Sequence, residues 1–212
     1  MNELYKNCMK SCKNKMTHKS ISYDQFEILD AIIDLHTGDI ECDVTYGNGS
    51  FYKGRNEPKF KLDIQPLYPD VVRSCSTSTP FEDGQLSNIM FDPPFLTYIK
   101  QGREHGSIMS KRFGGYWAYS ELEAHYRGTI KEAARTLKSK GQLVIKCQDI
   151  IHNHKMFCTH ANVISWAAEH GFRVKDLFIL NAKNRMPVNK GSKQQHARIH
   201  HSYFLVLEGK KK

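Results

Sequence analysis

Ile89-Met90-Phe91-Asp92-Pro93-Pro94-Phe95 is the stretch of this chain whose residue types can do chemistry most directly. An apolar run delivers a carboxylate, two prolines and an aromatic ring to one place. The prolines fix backbone angles and withdraw two N–H donors, so carbonyl oxygens are left free to accept. An exocyclic amine presents two N–H donors, one for Asp92 and one for the Pro93 carbonyl. Held that way, its nitrogen lone pair points toward an incoming methyl group. Phe95 offers a flat face for a base to stack on. Taken alone, the same residues read equally well as a strand followed by a rigid turn.

A second cluster stands upstream. Asp43-Val44-Thr45-Tyr46-Gly47-Asn48-Gly49 follows an apolar run, and glycines there let the backbone turn tightly and approach a ligand closely. Asp63 lies 16 residues past Gly47, where a carboxylate can accept from both hydroxyls of a ribose. By itself a Gly-x-Gly turn is also an ordinary loop; paired with Asp63 it favours a nucleoside cofactor. The third glycine of a dinucleotide fingerprint is missing, with Phe51-Tyr52 in its place, which argues against a nicotinamide dinucleotide.

These groups need elements to position them. Apolar residues Phe26, Leu29, Ile32, Ile33 and Leu35 at helical spacing predict a helix over 23–35, ended by Thr37-Gly38. Strands are expected over 40–45, 60–64 (with Pro66 beyond it), weakly at Val71-Val72, and over 88–91. An amphipathic helix over 120–138 carries Leu122, Tyr126, Ile130, Ala133, Ala134 and Leu137 on one stripe and closes at Lys140-Gly141. A buried strand over 142–147 follows, then a helix over 159–170 ended by Gly171, and strands over 172–180 and 202–207. Alternating strands and helices predict an α/β sandwich around a mostly parallel sheet. Two last strands with no helix between them predict an antiparallel pair at one edge. In such sheets ligands bind outside the carboxyl ends of the strands, which is where the chemistry-bearing motifs fall.

The 212 residues suit a single domain, 1–212, with an N-terminal extension over 1–19 that is flexible or helical. Hydrophobic residues at 40% and charged residues at 25% are ordinary for a globular chain. No apolar run reaches the roughly 20 residues needed to span a bilayer, and residues 1–19 have no apolar signal-peptide core. The six cysteines, at 8, 12, 42, 75, 147 and 158, form no zinc-finger spacing and read as reduced thiols of a cytoplasmic protein. His152 and His154 read as surface histidines, and no metal site is expected. The net charge of +9 favours polyanionic partners. No acidic residue occurs from Ala182 to Leu207, where Lys183, Arg185, Lys190, Lys193 and Arg198 are all basic.

At this point the chain resembles a family: class I S-adenosylmethionine-dependent methyltransferases, and within them the enzymes that methylate amino groups of nucleic acids. Their Phe-x-Gly-x-Gly cofactor loop precedes an Asp/Asn/Ser-Pro-Pro-Tyr/Phe/Trp catalytic motif. Tyr46-Gly47-Asn48-Gly49 matches most of the first and Asp92 to Phe95 the second. The resemblance runs from about Tyr23 to Leu207. Residues 80–84, Lys146-Cys147-Gln148-Asp149, 195–198 and 201–204 look like the connecting pieces of small phage and bacterial DNA methylases. It implies a Rossmann-like sandwich, S-adenosyl-L-methionine as cofactor, and catalysis by Asp92, Pro93, Pro94 and Phe95. Thr45, Tyr46, Gly47 and Gly49 would wrap the methionine part and Asp63 would hold the ribose. The segment 74–81, with Ser76 and Phe81, would line the adenine. Tyr23 would reach the cofactor from above, or pack. Where many relatives carry an acidic residue after the third strand, this chain has Ser74-Cys75-Ser76, so a hydroxyl or backbone contact must replace a carboxylate.

Two loops are candidates for the substrate. The segment 96–118 puts Lys100, Arg103, Lys111 and Arg112 beside Phe113, Tyr116 and Trp117, as a lid over an extruded or single-stranded base would; those aromatics equally suit anchors to the core. The basic loop 182–200, with Lys190, Lys193 and Arg198, suits phosphates. By resemblance, Asp at position 92 leans toward adenine N6 over cytosine N4, and DNA is favoured over RNA in a bacterial or phage-infected cytoplasm. An RNA base N-methyltransferase and a non-catalytic nucleic-acid-binding protein on a methyltransferase scaffold remain open at the level of sequence.

Overall fold

Ile89, Met90 and Phe91 are all buried because the strand they end, β5 (Leu86–Phe91), is covered on both faces. In the computed structural model, which describes residues 17–97, 115–183 and 194–210, β5 sits near the middle of an eight-stranded sheet. The other strands are β1 (Ile21–Ser22), β2 (Cys42–Asp43), β3 (Phe60–Asp63), β4 (Val72–Arg73), β6 (Leu137–Cys147), β9 (Phe172–Asn181) and β10 (His201–Gly209). Their order is β1-β9-β10-β6-β5-β2-β3-β4. All neighbours pair in parallel except β10, which is antiparallel to both β6 and β9. The expected mostly parallel sheet with an antiparallel pair toward one side is present; β10 is inserted between β6 and β9, and β1 adds two residues beyond β9.

Alternation along the strands splits the core in two. Leu143, Ile145, Leu205 and Leu207 point to one face, against Leu122, Tyr126 and Ile130 of α2 (Tyr119–Thr136) and Val163 and Trp166 of α3 (Thr159–Glu169). Val144, Phe204 and Val206 point to the other, against Ile28, Leu29 and Ile32 of α1 (Gln25–Ile32). Because β2-β3-β4 are laid down one way and β5-β6 the other, chain order reverses between β2 and β5. That seam is where such sheets open a crevice at their carboxyl ends.

The local differences from expectation have physical causes. Asp24 caps α1 by accepting from the Phe26 N–H at 2.8 Å, so the helix starts two residues later than its apolar pattern. Its last part widens into a π turn over Ile33–Thr37, closed by Gly38 at φ 64°. The chain leaves α2 at Thr136, and Leu137 is already extended. A hairpin unforeseen in the sequence, β7 (Ile150–His152) and β8 (Lys155–Phe157), turns through Asn153 and His154, both at positive φ. Two left-handed residues match the twist of a tight hairpin, although the usual glycine is missing. His152 therefore ends a strand with its side chain inward and is buried, which corrects its reading as a surface residue; His154 is exposed.

Among the described residues no helix is long and apolar enough to cross a membrane. Cys42, Cys75, Cys147 and Cys158 are free thiols, while Cys8 and Cys12 lie outside the described residues.

Candidate active site

β2 and β5 pair with Cys42 opposite Ile89 and Asp43 opposite Met90, so both motifs leave the sheet side by side. Asp43 is 2% exposed. It accepts from the Thr45 N–H at 2.7 Å, from Thr45 Oγ1 at 3.2 Å and from the Tyr52 hydroxyl at 2.7 Å. Burial, opposed by these hydrogen bonds, pushes its carboxyl up to about 7. The turn after it needs its glycines. Gly47 lies at φ 59° and donates its N–H to Asp63 Oδ2 at 2.8 Å, while Asp63 Oδ1 accepts from the Gln65 N–H at 2.8 Å. Gly49 lies at φ 70°, and a Cβ there would stand 2.5 Å from Tyr46 Oη. The Tyr46 ring is buried and stacked on Tyr52, so it supports the turn from the core side.

Thr45 also joins this turn to the Asp92–Phe95 motif, since its Oγ1 accepts the Asp92 N–H at 2.8 Å. Asp92 Oδ2 lies 3.1 Å from Lys146 Nζ, which donates to Gln25 Oε1 at 2.7 Å. Pro93 is buried, while Pro94 and Phe95 are half-buried. Beside them opens a cavity of about 400 Å³ lined in part by Tyr23, Gln25, Phe95, Lys146, Gln148 and Ser202. It lies at the carboxyl ends of β6 and β9, where β10 begins. Its lining offers a ring face, amide groups and the Lys146 ammonium, which is itself paired with Asp92, around a space the size of a small ligand.

Not every residue singled out from the sequence falls in this crevice. Hydrogen bonds join Thr45 to Asp92 and Gly47 to Asp63 at the carboxyl ends of β2, β3 and β5, with Gly49 in the same turn. Phe95 and Tyr23, the latter 59% exposed, line the cavity. Ser76 is buried with its hydroxyl bonded to His125 Nε2 at 2.7 Å and Thr129 Oγ1 at 2.8 Å, so its side chain is engaged by α2. Phe81 is displaced further. It packs edge-on against Phe60 at the amino end of β3, the end of the sheet opposite the crevice. The chain descends past the sheet between Ser74 and Phe81, and for Phe81 this corrects the expectation of adenine contact. The Tyr116 hydroxyl meets His125 Nδ1 at 2.5 Å and its N–H bonds the Leu96 carbonyl, so it anchors the base of the 96–118 loop. Trp117 is exposed, with its N–H on Glu121 Oε2. Arg198 is exposed. Lys111, Arg112, Lys190 and Lys193 lie outside the described residues.

Three groups escaped the sequence reading. Asp43 had a usable signal, an acid inside an apolar run just before the glycine turn. Lys146 had another, the one charge within the apolar run Leu143 to Cys147. Gln25 had none, since only the fold brings α1 over β6.

No family model matches this chain, and no curated protein sequence matches it. Solved structures do. An S-adenosylmethionine-dependent methyltransferase from Methanosarcina mazei aligns at TM-score 0.51 and 10% identity, over 87% of this chain and 98% of that one. A chain of the Haloferax volcanii complex between a methyltransferase activator and a protein named as a methyltransferase aligns at 0.53 and 12%, over 99% and 96%. A Thermus thermophilus protein named as a DNA modification methylase, solved with S-adenosyl-L-methionine, aligns at 0.43 and 20% identity, over 63% of this chain and 51% of that one. This chain thus spans about half the length of the Thermus protein. The first two likenesses, with the strand order, show the fold: it is the Rossmann-like sandwich of class I S-adenosylmethionine-dependent methyltransferases.

Proposed function

We propose that this chain is an S-adenosylmethionine-dependent methyltransferase acting on an exocyclic amino nitrogen of a nucleic acid, with adenine N6 of DNA as the preferred target. The observation that carries this reading is the 2.8 Å hydrogen bond from the Asp92 N–H to Thr45 Oγ1, which ties a nucleoside-type glycine turn to a motif shaped to accept an amine. The turn fits the cofactor. Each Asp63 oxygen takes one backbone N–H and keeps a lone pair for a ribose hydroxyl. Gly47 and Gly49 both hold left-handed conformations that leave the backbone uncovered.

S-adenosylmethionine, when bound, supplies an electrophilic methyl group. The residues of this chain hold the acceptor. Asp92 Oδ2 is taken by Lys146, so Oδ1 remains for one N–H of the amine. The Pro93 carbonyl accepts the other, and Phe95 stacks on the base at the wall of the cavity. Asp at position 92 favours adenine by family resemblance. Lys183 and Arg198, ends of an acid-free basic loop, favour a polyanionic substrate.

Incubation with tritiated S-adenosylmethionine and duplex DNA, single-stranded DNA or RNA, followed by nucleoside analysis, tests the reading. The expected product is N6-methyladenine in DNA, with Asp92→Ala retaining calorimetric cofactor binding and losing transfer. Absence of cofactor affinity in the wild type would overturn the assignment. A strong preference for RNA would move the substrate and leave the chemistry.

A further inference from the structure

Among the described residues, Lys146 is the cation paired with Asp92, and the Asp-Pro-Pro-Phe motif gives it no role. Three elements converge on it. Its own strand, β6, runs parallel to β5 with Ile145 opposite Phe91, so Lys146 lies level with Asp92 just past the end of β5. On the other side, β10 places Phe204 opposite Lys146. The first residue of α1, Gln25, supplies Oε1 at 2.7 Å from Nζ, and Asp92 Oδ2 lies at 3.1 Å. The rings of Phe51 and Phe204 both stand 5.5 Å from Nζ, within the range at which a ring face attracts an ammonium.

The pair is no surface ornament. The two side chains are only 12% and 23% exposed, and exposed pairs are the ones that contribute little. Withdrawing a carboxylate from water without a counter-charge is costly, and Asp43, whose carboxyl is buried nearby, offers none. Lys146 is the group that compensates. Gln25 and the two rings restrict the long lysine side chain to one geometry.

We propose that Lys146 is a positioning residue for the transfer reaction: by binding Asp92 Oδ2 and supplying its counter-charge, it turns Oδ1 toward the amino group in the cavity. This role rests on the reading of Asp92 as the amine acceptor. Other titratable groups face the pair. Asp43, Tyr52, Tyr126 and Cys147 are in electrostatic reach of Asp92, and Lys183, His200 and His201 line the cavity. Only Lys146 forms an ion pair with Asp92 among the described residues.

Two variants of the full chain, Lys146→Met and Lys146→Arg, test the role. Methyl transfer to the nucleic acid that the wild type accepts best is followed, with calorimetric cofactor affinity measured beside it. For Lys146→Met the expected result is a fall in kcat of about 100-fold, with cofactor affinity and KM unchanged within about threefold. Lys146→Arg should recover most of kcat, because it keeps a cation that can reach Oδ2. An arginine variant no better than methionine would overturn the role. So would a loss that falls on KM alone. Nitrogen-detected NMR of the lysine ammonium groups gives a readout independent of activity: the Lys146 signal should move on Asp92→Asn, and an unmoved signal would overturn the pair itself. A wild type that transfers no methyl group, with a signal that does move, would place the failure in the proposed function and withdraw the catalytic role with it.

Discussion

The Thr45 hydroxyl is shared between two aspartates: it donates to Asp43 Oδ1 at 3.2 Å and accepts the Asp92 N–H at 2.8 Å. One side chain therefore links the buried acid at the end of β2, the glycine turn and the start of the Asp-Pro-Pro-Phe motif. The link exists because β2 and β5 are adjacent parallel strands in register, so their carboxyl ends emerge together. A hydroxyl suits the place because it donates and accepts at once.

Thr45→Val keeps the shape and removes both bonds. The Asp92 N–H then loses its partner in a half-buried position, a loss of roughly 1–3 kcal/mol. Urea unfolding should show a lower midpoint, and kcat should fall about tenfold or more as the motif shifts. Thr45→Ser should behave as the wild type on both measures. A Thr45→Val variant as stable and as active as Thr45→Ser would mean that the hydroxyl does not carry the link.

Asp43 predicts a pH dependence of unusual sign. Its folded-state carboxyl is raised to about 7 by burial, above its value in the unfolded chain. Between about pH 4 and pH 7 the folded chain holds a proton that the unfolded chain has released, so stability falls as pH rises through this window. The contribution is on the order of 4 kcal/mol at most. Asp43→Asn should flatten the pH dependence between 4 and 7 in urea titrations. If the slope persisted in Asp43→Asn, another group would be responsible.

Gly49 and Gly54 separate backbone strain from contact. Both have φ in the left-handed region, at 70° and 76°, but an added Cβ meets Tyr46 only at Gly49 and open space at Gly54. Each alanine substitution should destabilise by roughly 1–2 kcal/mol through strain. Only Gly49→Ala should also weaken cofactor binding, by tenfold or more in calorimetry, because it displaces the Tyr46 ring beneath the turn. Equal cofactor affinity in the two variants would remove Gly49 from the site.

The parts of the site that were readable from sequence are those carried by short contiguous stretches. Gly47 and Gly49 announce a turn, and Pro93-Pro94 mark a strand end, because backbone chemistry is local. Lys146 and Asp92 are 54 residues apart, and their meeting depends on the register of β6 on β5, which no spacing in the chain reveals. Phe81 shows the converse error. It follows the third strand closely enough in sequence to suggest the cofactor site, yet the segment after Ser74 descends to the far end of the sheet before β5 begins. The β7–β8 hairpin was missed because Asn153-His154 adopts a turn usually signalled by glycine.

That descending segment is held by Glu132, which supplies the last prediction. Its Oε1 accepts the Thr79 N–H at 2.8 Å, Thr79 Oγ1 at 2.7 Å and Arg135 Nη2 at 2.6 Å. Burial pushes the carboxyl upward, but Arg135 and the two Thr79 bonds outweigh it and bring it down to about 2. The folded-state value is depressed, so this contribution is present above the ordinary glutamate value and is lost as pH falls toward 2. Among these two acids, Glu132 thus favours folding as pH rises to about 4 and Asp43 opposes it beyond, which puts their combined optimum in mildly acidic solution. Glu132→Gln should lower the urea midpoint at neutral pH and flatten its decline below about pH 4. Because Thr79 lies below Ser76 on the way to the amino end of the sheet, cofactor affinity should stay within about threefold of the wild type. A tenfold loss of affinity in Glu132→Gln would instead show that the segment 74–81 bears on the cofactor along more of its length than its upper turn.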